Sequence, residues 1–337
     1  MASIDVVIPS YQYGRYLREC VQSVLDQDVD ELRVLIIDNG STDGSADIAR
    51  QLAAEDARVS VVAHSVNRGP HASFNEGIDW ATADYFLLLF ADDLLTPGAL
   101  SRAIAIMEEH PDISVTYGRA AALYGDAPAS SLEIPPQKSD WRIMDGLAFI
   151  DRFCRTAVFH VPGSALIVRT SAQKQAGHYR PELPHSDDYD VWLRLACRGR
   201  VAETDAFQAI LRMHGSNRST LLAQVHVWHL VHTEMAIDCF FANDGAALPG
   251  ASNLLHMARR SLAERAYWSA VSNLARGSLR DCFALLRFAV RRRPSLLLLP
   301  PLGYLLRRDD TSARIRHILM NLIPGRQLPA TRATLEG

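Results

Sequence analysis

The 337-residue sequence predicts an α/β protein, a mostly parallel sheet flanked by helices and followed by a helical C-terminal region. Three observations carry that expectation. The first 120 residues alternate short β-rich runs with amphipathic segments of helical period, the pattern of βαβ units. Several β-rich runs end abruptly in polar residues, as parallel strands do where they open onto a ligand. Beyond about Leu221 the apolar spacing is helical, with no strand signal.

Taken in order, "IDVVIPS" reads as the first strand. The amphipathic "GRYLRECVQSVLDQ" follows, with Tyr16, Leu17, Cys20, Val21, Val24 and Leu25 on one face. "LRVLIID" is a second strand, a Gly/Ser-rich turn leads into a helix from about Ser45, and "VSVVAH" is a third strand. A helix around 71–82, the strand "YFLLLF", a helix from about Pro97 and the strand "ISVTYG" come next; proline suits a first helical turn. Residues 119–160, rich in Pro, Ser and Ala, read as irregular. "SALIVRT" is expected as a strand, "YDVWLRLACR" as a short helix and "FQAILRMH" as the last strand. A boundary near residue 217 divides an N-terminal domain, 1–217, from a helical, arginine-rich region, 218–337.

Composition is that of an ordinary globular chain, 48% hydrophobic and 22% charged, and long enough for two domains. Five scattered cysteines with no C-x-x-C argue against a zinc site or a disulfide framework and suit a reducing compartment. "MASIDVVIPS" lacks the basic flank of a signal peptide. The longest apolar stretch, "LLLLPPLGYLL", has 11 residues and two prolines, too short for a bilayer core of ~30 Å. A cytoplasmic protein, soluble or at the inner face of the plasma membrane, is expected. Charge is uneven. Residues 1–250 hold 20 basic and 33 acidic side chains, net −13, whereas 251–337 hold 15 arginines, no lysine and 5 acids, net +10. Such asymmetry suggests different partners at the two ends.

Three strand ends carry the chemistry: Pro9 and Tyr11 in "VVIPSYQYG", Asp38 in "LIIDNGSTDGSAD", and Asp92 with Asp93 in "LLLFADD". A lone Tyr after a strand is usually packing, and a lone Asp before such a turn is usually a cap. Two adjacent carboxylates closing an apolar strand are harder to dismiss. They are costly to bury, so either they end at solvent or a positive charge stands between them and a ligand. No G-x-G-x-x-G follows a strand, which disfavours a dinucleotide-dependent dehydrogenase. A nucleotidyltransferase would want a Gly-rich, basic phosphate loop, and "PSYQYGR" offers one glycine and one arginine.

With "VVIPSYQYGRYLRECVQSVLDQ", "IIDNGSTDGS", "NRGPHASFNEGIDWATADYFLLLFADDLLTPGAL", "HSDDYDVWLRLACRG" and "LRMHGSNRS", the chain resembles family 2 glycosyltransferases of the GT-A, Rossmann-like fold. These use nucleotide-diphospho-sugars and invert at the anomeric carbon. The likeness covers roughly residues 3–220. It implies that Tyr11, beside Pro9, stacks on the nucleobase and that Asp38 accepts a uracil or thymine imide N–H. Asp92 would contact ribose. Asp93 would hold Mg²⁺ or Mn²⁺, with His214 as a further ligand or a diphosphate contact. Asn67, Arg68 and Asn75 would line the donor cleft, and Gly163 and Ser164 would lie beside the donor and acceptor sugars. Asp188, next to Asp187, matches the catalytic base, although both acids would also suit a helix N-terminus. Trp192 and Arg194 are either structural or acceptor-facing. The chain departs from the family where many members read D-x-D-D, since Phe90 replaces the first acid.

The expected activity is therefore metal-dependent, inverting transfer from a UDP-sugar to a glycan or lipid-linked glycan in bacterial polysaccharide assembly. A non-catalytic nucleotide-sugar-binding assembly factor and a nucleotidyltransferase are the alternatives. The tail "FALLRFAVRRRPSLLLLPPLGYLLRR" would meet an anionic membrane surface or form a helical packing or homo-oligomer surface.

Overall fold

The computed structural model describes residues 2–135, 137–159, 161–215 and 226–307. The described residues form two compact units that interleave along the chain. The first comprises Met1–Gly146, Val161–Glu182 and Arg194–His214; the second comprises Leu147–His160, Leu183–Leu193 and Gly215–Gly337. The boundary expected near 217 lies outside the described residues. Segments 147–160 and 183–193, which precede it in sequence, belong to the second unit.

In the first unit β1 (Ser3–Ser10), β2 (Glu31–Asp38), β3 (Val59–Ala63) and β4 (Tyr85–Leu88) pair in parallel in the order β3-β2-β1-β4. Helices α1 (Gly14–Leu25), α2 (Ser45–Glu55) and α3 (Pro70–Trp80) link them, each where the apolar period predicts it. Ile4, Val6 and Ile8 of β1, Val34 and Ile36 of β2 and Leu87 of β4 share one core with Leu17, Val21 and Val24 of α1. Asp5 is the one charge inside β1. It is buried, but Arg33 Nε and Nη2 reach its two oxygens at 2.8 and 2.7 Å, and the N–H groups of Thr82 and Ala83 also donate to it. On the face of the sheet, Gly77 of α3 sits so close to β1 that an added Cβ would stand 2.4 Å from Val7.

Beyond β4 the sheet turns mixed. After Asp93 the chain makes the two-residue β5 (Leu94–Leu95) before α4 (Ala99–Glu109), so Pro97 sits in the turn and Gly98, at φ 71°, is the residue before the helix. The strands β6 (Ile113–Tyr124) and β8 (Ile167–Arg169) pair antiparallel, and β8 pairs antiparallel with β4. The long β9 (Arg200–Met213) runs parallel to β6 and antiparallel to β5 and to β7 (Trp141–Met144). Residues 119–160 are thus more regular than expected: they hold the end of β6, all of β7 and helix α5 (Gly146–Thr156). Phe149, Ile150, Phe153 and Cys154 recur at helical spacing in α5 and are buried.

α6 (Thr170–Ala176) completes the first unit's helices. α7 (Asp187–Ala196) begins in the second unit, which also holds α5 from Leu147 onward, α8 (His226–Ala242), α9 (Ala251–Ala275), α10 (Leu279–Arg292) and the short α11 (Leu302–Leu306). Among the described residues no helix is long and apolar enough to cross a membrane.

Candidate active site

The parallel strands end as a ligand site requires. β1 and β2 pair in register to their last residues, Pro9 opposite Ile37 and Ser10 opposite Asp38. Asp38 is buried; its Oδ2 accepts the Ser41 N–H at 3.1 Å, while its Oδ1 is buried with no hydrogen-bond partner. The neighbouring Ser10 Oγ is likewise buried without one. A buried carboxylate oxygen lacking a donor is costly, and a ligand N–H would relieve it. Tyr11, next along the chain, is exposed.

The β2 turn is braced from two sides. Gly40 adopts φ 75°, and a Cβ there would come within 2.5 Å of the Val66 carbonyl carbon, so only glycine fits. Asn39 then gathers the loop after β3: its Nδ2 donates to Asn67 Oδ1 (3.1 Å) and Gly69 O (2.9 Å), and its Oδ1 accepts the Arg68 N–H (3.0 Å). His64 bridges Asn39 Oδ1 at 2.9 Å and Glu76 Oε2 at 2.7 Å. On the other side Gln12, in the left-handed region at φ 61°, donates its N–H to Ser41 Oγ and its side-chain amide to Thr42 Oγ1. Asn67 and Arg68 are exposed at the rim of this turn. Asn75 has a different task, because its amide clamps the backbone of Tyr179 in both directions, at 3.0 and 2.8 Å.

A second cluster forms around the acid pair. Asp93 is buried between a strand and a turn: Oδ1 accepts the Arg212 N–H of β9 at 3.0 Å and Oδ2 accepts Ser164 Oγ–H, from the turn Gly163–Ala165, at 2.5 Å. Asp92 Oδ2 lies 3.2 Å from His214 Nε2, both side chains being buried. Burial first, and then the Asp92 charge, push the Asp93 carboxyl up to about 8; burial also raises Asp92 against the pull of His214 and Arg212. His214 stacks on Tyr16 at 5.1 Å and meets the edge of Tyr13 at 5.7 Å. Burial and the two acids raise the Tyr13 phenol. The buried Arg212 lies 4.7 Å from the Tyr16 ring centroid and donates to Glu19 Oε2 at 2.5 Å. Phe90, where the family resemblance leads one to expect an acid, is exposed and leans on Gly163, whose added Cβ would stand 3.3 Å from the ring.

The structure therefore brings together Asp92, Asp93, Ser164 and His214, and separately gathers Asp38 with Asn67 and Arg68. The loop 11–13 joins the two groups through Gln12 and Tyr13. Sequence reading missed Tyr13, Tyr16, Arg212, Asn39 and His64. Arg212 lies on "LRMHGSNRS", Asn39 on "DNGSTDGS", and Tyr13 and Tyr16 on "VVIPSYQYGRYLRECVQSVLDQ", which were the available signal; His64, at the end of "VSVVAH", had none. Positions 216–219 of the former lie outside the described residues.

In the second unit, Asp187 and Asp188 open α7, preceded by Ser186, whose hydroxyl donates to His232 O at 2.5 Å. Asp188 Oδ1 accepts the Tyr189 N–H at 2.9 Å and is part-exposed, whereas Asp187 and Asp190 are buried. Trp192 is a core residue here, edge-on to Phe159 at 5.2 Å. Arg194, in the first unit, is buried with its guanidinium on the carbonyls of Ala176 and His178.

Among the described residues no three His, Cys, Asp or Glu side chains form a ready-made metal cluster. In chemistry alone, two carboxylates and an imidazole are nonetheless donors that suit Mg²⁺ or Mn²⁺.

Known proteins share this chain's sequence pattern and its fold. Residues 5–175 match the family described as glycosyl transferase family 2. An uncharacterized glycosyltransferase of Haemophilus influenzae is 22% identical over 230 residues, 65% of this chain and 68% of the relative. The glycosyltransferase GlyG of Streptococcus pneumoniae is 34% identical over 116 residues, so the chain spans 38% of that relative's length. Among solved structures, S. aureus TarS in complex with UDP-GlcNAc superposes with TM-score 0.63 at 16% identity, covering 95% of this chain and 89% of that one. The mannosyltransferase PcManGT of Pyrobaculum calidifontis, in complex with GDP-Man and Mn²⁺, gives 0.55 at 14% identity over 95% and 85%. At such identities these two share the fold, a central sheet flanked by helices. The match over half the chain's length settles the family: this protein belongs to glycosyl transferase family 2.

Proposed function

We propose that the protein transfers a sugar, with inversion, from a nucleotide-diphospho-sugar to a glycan or lipid-linked glycan acceptor in bacterial polysaccharide assembly, a UDP-sugar being the favoured donor. The observation that carries the donor assignment is the buried, partnerless Asp38 Oδ1, an acceptor placed where a uracil imide N–H would fill it. Tyr11 would cover the base from its exposed position, and Asn67 and Arg68 would rim the cleft. TarS binds UDP and UDP-GlcNAc on the same fold, which supports the choice of nucleotide.

Asp93 and His214 would hold Mg²⁺ or Mn²⁺, with Asp92 on ribose. Such an ion neutralises charge on the departing diphosphate. Ser164 and the Arg212 amide fix the Asp93 carboxylate in one orientation, and Gly163 and Ser164 leave room for the sugar. Asp188 would take the acceptor hydroxyl proton as that oxygen bonds to the anomeric carbon and the nucleoside diphosphate leaves from the opposite face. Asp187 would keep its neighbour basic.

Calorimetric titration with UDP, GDP and dTDP plus Mn²⁺ tests the donor. UDP should bind tightest, and Asp38→Asn should weaken it about ten-fold, the worth of one charge-assisted hydrogen bond. Tighter GDP binding, or an indifferent Asp38→Asn, would overturn the assignment. Asp188→Asn should lower kcat at least about 100-fold with the UDP Kd unchanged. A second reading, a nucleotide-sugar-binding protein without turnover, is favoured only by Phe90 in place of the first acid. Donor hydrolysis or transfer at any measurable rate removes it.

A further inference from the structure

In the second unit, residues 294–306 are clasped at both ends to one acid. Glu264 of α9 is 1% exposed; it accepts Arg260 Nε at 2.9 Å and also pairs with Arg293 and Arg307, the residues flanking the segment. Inside the segment, Trp268 Nε1 donates to Pro301 O at 3.1 Å, Tyr304 Oη–H donates to Thr156 O at 2.9 Å, and Leu296 and Tyr304 are buried. Five leucines are left facing outward: Leu297, Leu298, Leu299, Leu302 and Leu306 are between 63 and 87% exposed. A segment needed only to cap a helical unit gains nothing from such residues, because exposed leucines clustered this closely invite association. The polar clasp holds them out instead of letting them collapse.

The surroundings say what would cover them. The outer stripe of α10 runs Leu279, Phe283, Arg287, Arg291 at a spacing of four, two apolar residues followed by two exposed arginines. Residues 251–337 carry 15 arginines against 5 acids and no lysine. Apolar side chains beside an excess of guanidinium complement an anionic bilayer, whose phosphates take arginine in forked pairs and whose acyl boundary takes leucine. A second copy presenting the same face would bring the same excess of positive charge and be repelled. We propose that the 294–306 segment is a preformed membrane wedge: Leu297–Leu299, Leu302 and Leu306 enter the headgroup–acyl boundary while Arg287 and Arg291 contact lipid phosphate. The proposal is independent of the donor and of the base.

Flotation of the full chain with vesicles tests it. The protein should rise with phosphatidylcholine–phosphatidylglycerol vesicles, less so in high salt, and not with phosphatidylcholine alone. Leu298→Glu/Leu299→Glu should bind the mixed vesicles at least about ten-fold more weakly, with an unchanged thermal midpoint because both positions are exposed. Equal flotation of variant and parent, or no preference for the anionic lipid, overturns the proposal. So does a dimer, seen by light scattering, that the double variant dissolves while neither form binds vesicles.

Discussion

At Asp93 both carboxylate oxygens are hydrogen-bonded by the protein, to Ser164 and to the Arg212 amide, whereas Asp92 shares an oxygen with the His214 imidazole. The first residue is oriented, the second is poised, and the histidine closes the set. His214→Ala should therefore raise the Mn²⁺ concentration for half-maximal activity about ten-fold while leaving metal-free UDP binding unchanged, read by activity titration and calorimetry. Chelation followed by Mn²⁺ addition provides the baseline. Asp92 and Asp93 were legible in the sequence because two acids closing an apolar strand have few structural excuses. Tyr13, Tyr16 and Arg212 were not, since an arginine inside a strand, a tyrosine before a helix and another in its first turn are ordinary until folding gathers them around His214.

Elements place these residues by close approach. The β2 turn touches the loop after β3 only because Gly40 lacks a side chain and tolerates φ 75°. Gly40→Ala should lower stability by about 2 kcal/mol or more, from left-handed strain plus a steric clash, and should weaken UDP binding; urea unfolding and calorimetry measure the two effects. At the opposite end of β1, Asp84 accepts the Ser3 N–H and hydroxyl at 2.9 and 2.8 Å, bonds that hold its carboxyl below the ordinary range. A depressed folded value stabilises the protein above the unfolded pKa of about 3.9 and loses that contribution as pH falls through the folded value. Ser3→Ala should thus cost stability at pH 7 and little at pH 2, a difference visible in urea midpoints. The strands and helices through β4 were readable from period and turn residues, whereas the two-residue β5 was not. α5 was not, because its apolar residues sit inside a stretch whose prolines and serines suggested a loop. The antiparallel half of the sheet also escaped the sequence, since a three-residue β8 carries no sign of its direction.

Across the whole molecule, contacts distant in sequence do the tying. Glu264 gathers Arg260, Arg293 and Arg307 in the second unit, and one acid serving three cations makes the losses unequal. Glu264→Gln should lower stability by about 2 kcal/mol, whereas Arg293→Gln should cost less than half of that, as two partners remain; denaturant midpoints decide. The division of labour between an acidic body and a basic tail was plain in the charge count, but the interleaving of the units was not, because no composition shift marks residues 147 or 183. The Arg212 amide and the Asp93 carboxylate are 119 residues apart, and they meet only when β5 has zipped against β9. A growing polypeptide that has emerged from the ribosome with its Gly/Ser turn, its acid pair and its Asp38 complete still cannot orient Asp93. Until that last strand docks, Asp93 Oδ1 lacks the β9 amide that holds it.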